Sequence, residues 1–522
     1  MESHSSFSEM AQPAPSTSSV SLLRYSPAAI LIAIAITDIQ RWADPDLWGH
    51  ILFGRAMLAH HHIAVHDMYS YSAHWRVWLD HEWLSELVMG AIYKYCGVVG
   101  LKLMKFACSA AVIVSLAFAL AETDSPPTVQ FAILVAVGVA IGPQMQFRPQ
   151  IFTFALMSCL LAMLARCAYR GRTALWRAVP LMVLWANLHG GFILGLMMLA
   201  VFSLVVLVQD LIEGRGIRRG LLLIAVLLTS TLGTLMTPYG MGTWEAVVHA
   251  TTNSTTRQVI DDWQPLLRAL DAMWHRNPGG AIPMLTALAL FLATALTSIV
   301  SLSAEDLPMV AVAGLMVTAA FIAMRNLPPA VIACAVPLSA GYGRLFSRHA
   351  APEENGSWMR QLILIAAATG LLIKTGLFSS ALRAGSPRPV GAVAFMQEHR
   401  MQGNIMTDFA WGEYVIWHMA PGSKVFIDGR YDTIYPPDVI ADYLTVQYGR
   451  PGAGDVLQKY PHDFFLLRAD DAPTIHLLAN SHEWKQIYRD STCILFARAD
   501  SEAARTAAVA VAADDTPPSY FP

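Results

Sequence analysis

Charge is what this 522-residue chain has least of: 14% of its residues are Asp, Glu, Lys or Arg, against about 25% in an ordinary soluble domain. With 55% of residues hydrophobic and gathered in long uninterrupted runs, a water-soluble fold is excluded. A basic excess is missing too. The formal net charge of −3 offers no positive surface of the kind a phosphate backbone requires, so nucleic acid is not a partner. Cysteines number only six. Cys108, Cys159, Cys167 and Cys334 fall in apolar runs, Cys96 at the edge of another, and only Cys493 in the polar C-terminal part, which excludes a disulfide or zinc framework. Residues 1–21 are rich in Ser and Pro, with no Lys or Arg among the first twenty, and read as a disordered tail. No internal repeat is visible, which argues against the duplicated halves of many transporters.

What the chain does have is a series of apolar runs. The first, Leu22 to Ile39, lacks an A-x-A-like cleavage site and reads as an uncleaved span. Others lie near Val98–Leu120, Val129–Met145, Ile151–Arg166, Leu175–Leu188, Phe192–Leu211 and Leu221–Met236. The last four are Ile282–Ser303, Leu307–Met324, Ala330–Tyr342 and Gln361–Phe378. The fold class is a polytopic α-helical membrane protein with about eleven transmembrane helices across residues 22–381. Basic residues orient it. With the N-terminus cytoplasmic, Arg166, Arg170, Arg172 and Arg177 share one inner loop, Arg215, Arg218 and Arg219 the next, and Arg344, Arg348 and Arg360 the last. Lys102 and Lys105, at the outer end of the second span, run against this trend. The outer face then receives the long loop 42–97, the loop from Pro238 to Gly280, the turns at Arg148, His189 and Arg325, and everything after Ser379.

From about Pro387 the charges return and strand-like pieces, Lys424 to Ile427, Phe464 to Leu467 and Cys493 to Ala497, alternate with helical ones. Residues 387–500 read as a small C-terminal α/β domain outside the membrane, able to fold alone, and residues 501–522 as a disordered tail.

The polar residues of the outer loop carry the chemistry. Asp44-Pro-Asp46 sets two acids two positions apart at the mouth of the first span. The pair suits a divalent cation or a general base at the membrane surface, and suits a helix N-cap equally, since Pro is tolerated in a first turn. His50 follows Asp46 by one helical turn as an orienting partner. From Asp80, the spacing of Trp83, Leu84, Leu87, Val88, Ala91, Ile92 and Tyr95 marks the apolar face of an interfacial helix, with His81, Glu82, Ser85 and Glu86 on its polar face. His60-His-His62 looks metal-like, but helical neighbours point about 100° apart and do not converge on one ion. A solvated run fits them better.

Arg148 and Arg325 each stand where a span ends. A guanidinium there suits a phosphate or diphosphate headgroup, or snorkels to ordinary lipid phosphates. Between them, Asn187 and His189 lie in an otherwise apolar hairpin, where polar groups are expensive and mark sites.

These residues carry a resemblance. Asp44-Pro-Asp-Leu-Trp-Gly-His50 with Gly54, Asp67 to Tyr71, Glu82-Trp83, Arg148-Pro149, Trp185 to Gly191, Thr237-Pro-Tyr-Gly240, Asp262-Trp263 and Arg325 to Pro328, in that order, resemble the bacterial branch of the GT-C membrane glycosyltransferases. Phe409 to Tyr414 and Val425 to Asp432 extend the likeness into the polar part. The resemblance implies a glycosyltransferase of the bacterial inner membrane, acting by direct displacement with inversion at the anomeric carbon, with Asp46 or Asp44 as catalytic base. It implies a polyprenyl-phosphate-linked sugar donor, Arg148 and Arg325 as lipid-phosphate-binding residues, and a glycan, lipid or protein acceptor on the periplasmic side. His81, Glu82, Asn187 and His189 are candidate substrate-binding residues, and a divalent cation at Asp44 and Asp46 is left open. The competing classes are a transporter or non-catalytic assembly protein of envelope polysaccharide export, and a ligase or polymerase of lipid-linked glycans.

Overall fold

The computed structural model describes residues 32–33, 35–36, 42–171, 174–252, 261–346, 370, 377–506, 510–511 and 520–522. The N-terminal tail and nearly all of the first and last expected spans lie outside the described residues, as do Arg172, Arg348 and Arg360. The helices are α1 Leu47–His60, α2 Trp83–Leu120, α3 Pro127–Ile141, α4 Gln150–Arg170, α5 Ala178–Leu188, α6 Phe192–Ile212 and α7 Arg218–Gly233. They continue with α8 Met241–Thr252, α9 Leu266–Arg276, α10 Ile282–Ser301, α11 Leu307–Ile322 and α12 Leu327–Phe346. Against the expected eleven spans, six helical stretches among the described residues are long and apolar enough to cross a membrane, and two shorter apolar ones, Ala174–Leu188 and Leu307–Ile322, accompany them. The chain is a multi-pass membrane protein.

Three local features place the outer-face residues. Gly97 sits inside α2 with φ 61° and ψ −154°, a conformation that only glycine adopts cheaply. The break it makes separates the interfacial segment expected from Asp80 to Tyr95 from the span beyond it. Next, α1 crosses α2 with backbones almost touching, since a Cβ on Gly54 would fall 1.8 Å from the Glu86 carbonyl oxygen. That contact sets His50 against Glu86. Finally, Pro149 starts α4, where the absent N–H would be unpaired anyway, and leaves Arg148 on the connection before it. Arg170 ends the same helix, about 30 Å away at 1.5 Å per residue.

The C-terminal α/β unit has six α-helices among the described residues, the first two being α13 Val390–Glu398 and α14 Gly412–Met419. Its six-stranded sheet runs β3-β2-β4-β6-β5-β7, built from β2 Asn404–Thr407, β3 Lys424–Val425, β4 Phe464–Arg468, β5 Trp484–Arg489, β6 Cys493–Arg498 and β7 Ala510–Val511. Strands β3, β2 and β4 are parallel, whereas β6 runs antiparallel to β4 and β5. A separate antiparallel pair joins β1 Leu382–Arg383 to β8 Tyr520–Phe521.

The C-terminal unit and the outer loop share a core. The outer loop extends the sheet at β3, where the Tyr71 N–H donates to the Val425 carbonyl and the Val425 N–H to that of Tyr69. Phe53, Met57 and Trp78 of the loop region pack into one apolar cluster with Phe426, Ile427, Tyr431 and Tyr435. The residues after Ser501, expected to be disordered, include a helix, Glu502–Thr506, and strands β7 and β8. Buried Phe521 explains the ordered end, since its ring meets those of Trp48, Tyr93 and Trp417.

Candidate active site

The loop before α1 is pinned from both sides. The Ala43 N–H donates to the Arg383 carbonyl at 2.7 Å and the Gly385 N–H to that of Ala43 at 3.0 Å. Asp44 then accepts the Asp46 N–H on Oδ1 at 3.0 Å, an Asx turn across Pro45. Asp46 occupies the N-cap of α1 but makes no side-chain capping bond, so its carboxylate is not consumed by the helix.

Both carboxylates face Arg148. Its Nε lies 2.6 Å from Asp44 Oδ1, its Nη2 2.8 Å from Asp46 Oδ2, and its Nη1 3.6 Å from Asp262 Oδ2. The expectation of an Arg148 open to a lipid phosphate therefore meets a guanidinium whose fork is filled by acids. The Asp46 side chain is 20% exposed against 7% for Asp44, which makes Asp46 the more reachable of the two carboxylates. Burial raises the Asp44 carboxyl above its usual range, against the pull of Arg148.

The expected pairing of His50 with Asp46 is replaced. His50 Nδ1 lies 3.0 Å from Glu86 Oε1, because the close crossing of α1 and α2 brings those side chains together. Glu82, at the N-cap of α2, gathers the other two histidines: His189 Nε2 stands 3.3 Å and His81 Nε2 3.8 Å from its Oε1. The His189 tautomer follows from its neighbours. Gly191 N–H donates to Nδ1 at 2.8 Å, which leaves the proton on Nε2, facing Glu82. Burial, then the charge of Arg325, holds both histidines below their usual value, His81 at about 4. Burial raises the Glu82 carboxyl, opposed by His50 and Arg325 and assisted by Asp46.

Arg325 completes the group. Its guanidinium lies 4.2 Å from the Trp263 ring centroid, and the Met324 N–H donates to the Gln264 carbonyl, tying the two segments together. Arg325 forms no ion pair with the described residues, which leaves a stacked, oriented fork.

Asn187 is a brace instead of an open group. Its Oδ1 accepts the Trp83 indole N–H at 3.1 Å, and its amide donates to the carbonyls of Val183 and Met236. His60, His61 and His62 are exposed at the end of α1, in keeping with a solvated run.

A divalent cation at Asp44 and Asp46 would compete with Arg148, which already joins both carboxylates. His50, Glu82 and Glu86 fit better: their ligand atoms lie within 4.8 Å of one another, and Glu86 Oε2 is buried without a hydrogen-bond partner. An imidazole and two carboxylates make a plausible donor set for a borderline or hard divalent ion.

Sequence reasoning did not single out Glu86, Asp262, Trp263 or Glu413 as site residues. Each lay inside a segment already noted, but no spacing rule joins Asp46 to residues hundreds of positions away. Trp263 and Asp262 are recognisable only once they meet the two arginines.

No family model matches the chain, and no curated protein matches it in sequence. Solved structures do match. The Archaeoglobus fulgidus oligosaccharyltransferase, in a complex with Zn and sulfate, is 11% identical with a TM-score of 0.54, covering 90% of this chain and 73% of that one. The same enzyme tethered with an acceptor peptide is 12% identical with a TM-score of 0.51, covering 85% and 69%. A mycobacterial arabinofuranosyltransferase, AftD, is 14% identical with a TM-score of 0.51 over 92% of this chain, which spans 42% of that protein. Over 85–92% of its length the chain shares its overall fold with these solved transferases.

Proposed function

We propose that this protein transfers a sugar from a polyprenyl-phosphate carrier to an acceptor on the outer face of a bacterial inner membrane. The observation that carries the reading is that a reachable Asp46, free of any capping bond, and a ring-stacked Arg325 both lie close enough to Glu82 to act on its charge. In the proposed step an acceptor hydroxyl oxygen forms a bond to the anomeric carbon while the bond from that carbon to the phosphate oxygen breaks. The hydroxyl proton passes to Asp46, the carrier phosphate leaves with the bonding electrons, and the anomeric configuration inverts. Arg325 takes up the phosphate charge and Arg148 orients the two acids. A divalent cation at His50, Glu82 and Glu86 would add positive charge for the leaving phosphate.

The side of the membrane is supported by α4, which has Arg148 at its site end and Arg170, beside Arg166 and Glu122, at the other. Lys102, one of the two exceptions to the charge rule, donates to the carbonyls of Ser379 and Ala381 at 2.9 Å each. The direct test is mass spectrometry of envelope glycans and lipid-linked sugars in a deletion strain. A glycan lacking one sugar together with accumulation of its lipid-linked donor supports the transferase. Unchanged glycans and lipids sink it, and accumulation of a finished glycan on the wrong side favours export.

A further inference from the structure

An α-helix begins with backbone N–H groups that it does not itself satisfy, and the start of α1 carries the proposed base. Asp46 stands at its N-cap and leaves those groups alone. The acceptor comes from the C-terminal unit: Glu413, in the first turn of α14, takes the Gly49 N–H on Oε2 at 2.9 Å.

The packing around this bond leaves no slack. Glu413 is 3% exposed. A Cβ on Gly49 would fall 2.3 Å from the Glu413 carboxyl. On the far side, a Cβ on Gly429 would lie 2.6 Å from Asp46 Oδ1 and 2.7 Å from Glu413 Oε1. Gly429 thus separates the two carboxyls, with its backbone against both. Trp48, next in α1, is held by the same unit, packing edge-on against Tyr414 and lying beneath the Arg388 guanidinium.

The geometry points to Glu413 as a positioning residue for Asp46: a helix cap supplied by the C-terminal unit, which frees the Asp46 carboxylate to pair with Arg148 and to meet an acceptor hydroxyl. The extramembrane unit is then a working part of the transfer site, which explains why the outer loop and the sheet share a core. This inference rests on the transferase reading above.

The experiment uses the full chain in lipid nanodiscs, with a lipid extract of the deletion strain, in which unused donor accumulates, as donor source. Transfer is followed over a series of extract concentrations for the parent, Asp46→Asn, Glu413→Ala and Glu413→Gln. Loss of the cap in Glu413→Ala lowers the maximal rate about tenfold, while the half-saturating amount of extract stays the same. Gln, whose amide oxygen accepts the Gly49 N–H, restores the rate. Hydrogen exchange provides a readout without turnover: the peptide containing Gly49 loses protection in Glu413→Ala and keeps it in Glu413→Gln, with β2 and β4 protected in both.

If Glu413→Ala turns over at the parental rate while Asp46→Asn is inactive, the positioning role is overturned and the transferase reading stands. A folded Glu413→Gln as slow as Glu413→Ala also overturns it. Should Asp46→Asn transfer at the parental rate, the transferase reading itself falls.

Discussion

Two arginines in this molecule are each held by a pair of aspartates, and they do different things. Arg148 lies between Asp44 and Asp46 with its side chain 24% exposed. Arg430 lies between Asp67 and Asp428 and is 4% exposed. Its Nε and Nη2 bind Asp428 bidentately at 2.9 and 2.6 Å, while Nη1 reaches Asp67 at 2.7 Å. The spare oxygens are used as well: Asp428 accepts the Tyr435 hydroxyl, and Asp67 accepts the Ser70 N–H and hydroxyl. The rings of Phe53, Tyr69 and Trp78 surround the guanidinium at about 5 Å. Each carboxylate oxygen and guanidinium nitrogen of the Arg430 group has a partner and the group is buried, so it clamps the outer loop to the C-terminal unit. Around Arg148 the third acid, Asp262, is loosely held at 3.6 Å, and Asp46 keeps an open side. Exposure and unfinished pairing, more than residue type, separate a site from a clamp.

The comparison breaks most visibly at Asp46. Removing its charge as Asp46→Asn should lower transfer roughly 100- to 10,000-fold, the usual contribution of a positioned base. Stability should move by less than about 1 kcal/mol, because no cap is lost. Complementation of the deletion strain, with protein level and melting followed in parallel, measures both. Parental transfer would make the open arginine group a second clamp.

At the sealed arginine the balance reverses. Asp67→Ala leaves Arg430 buried and half-paired, a change that costs roughly 3–5 kcal/mol. The outcome to look for is a large drop in melting temperature and protease cleavage between the outer loop and β3. An Asp67→Ala protein that melts like the parent would show that the clamp holds nothing.

Much of this division was legible in the sequence and part was not. Nine apolar runs, from Val98–Leu120 to Ala330–Tyr342, correspond to helices with shifted ends because apolar length is a local property. Asp44, Asp46, Arg148, Glu82, His189 and Arg325 were singled out and do converge. What failed was pairing. His50 was read by helical spacing as a partner of Asp46, whereas the backbone contact of Gly54 with α2 gave it to Glu86. Arg148 reads as a phosphate ligand because it ends a span, and its pairing with Asp44 and Asp46, more than a hundred positions away, leaves no local trace. Asp67 and Arg430 both stood in noted motifs, but only the joining of the loop to β3 reveals that they meet.

Arg325 sharpens the contrast at a lower amplitude. As the unpaired guanidinium it should bear on the donor phosphate, so Arg325→Gln should slow transfer roughly 10- to 100-fold. Arg325→Lys should recover only part, because an ammonium lacks the planar fork. The readout is the half-saturating amount of donor extract. An effect confined to the maximal rate would move Arg325 from holding the phosphate to assisting its departure.

The smallest effect is the dependence of melting on pH, where the two regions should slope in opposite directions. Burial, with Asp46 adding to it, holds the Glu413 carboxyl well above its ordinary value of 4.5. The folded state therefore keeps a proton that the unfolded chain gives up, and this contribution, full below the unfolded value, is lost as pH rises toward the folded one. Asp428 has the other sign. Burial alone would raise it, but Arg430 overrides burial and holds the carboxyl below its ordinary 3.8, so its contribution is full above that value and lost as pH falls through the folded one. Melting temperature should then decline as pH rises above about 4.5 and decline again as pH falls below about 4. Glu413→Gln, which cannot titrate, should lessen the upper limb, to which Asp44 and Glu82 also contribute, and leave the acid limb as it was. A flattened acid limb instead would mean that the clamp, and not the open site, carries the raised carboxyl.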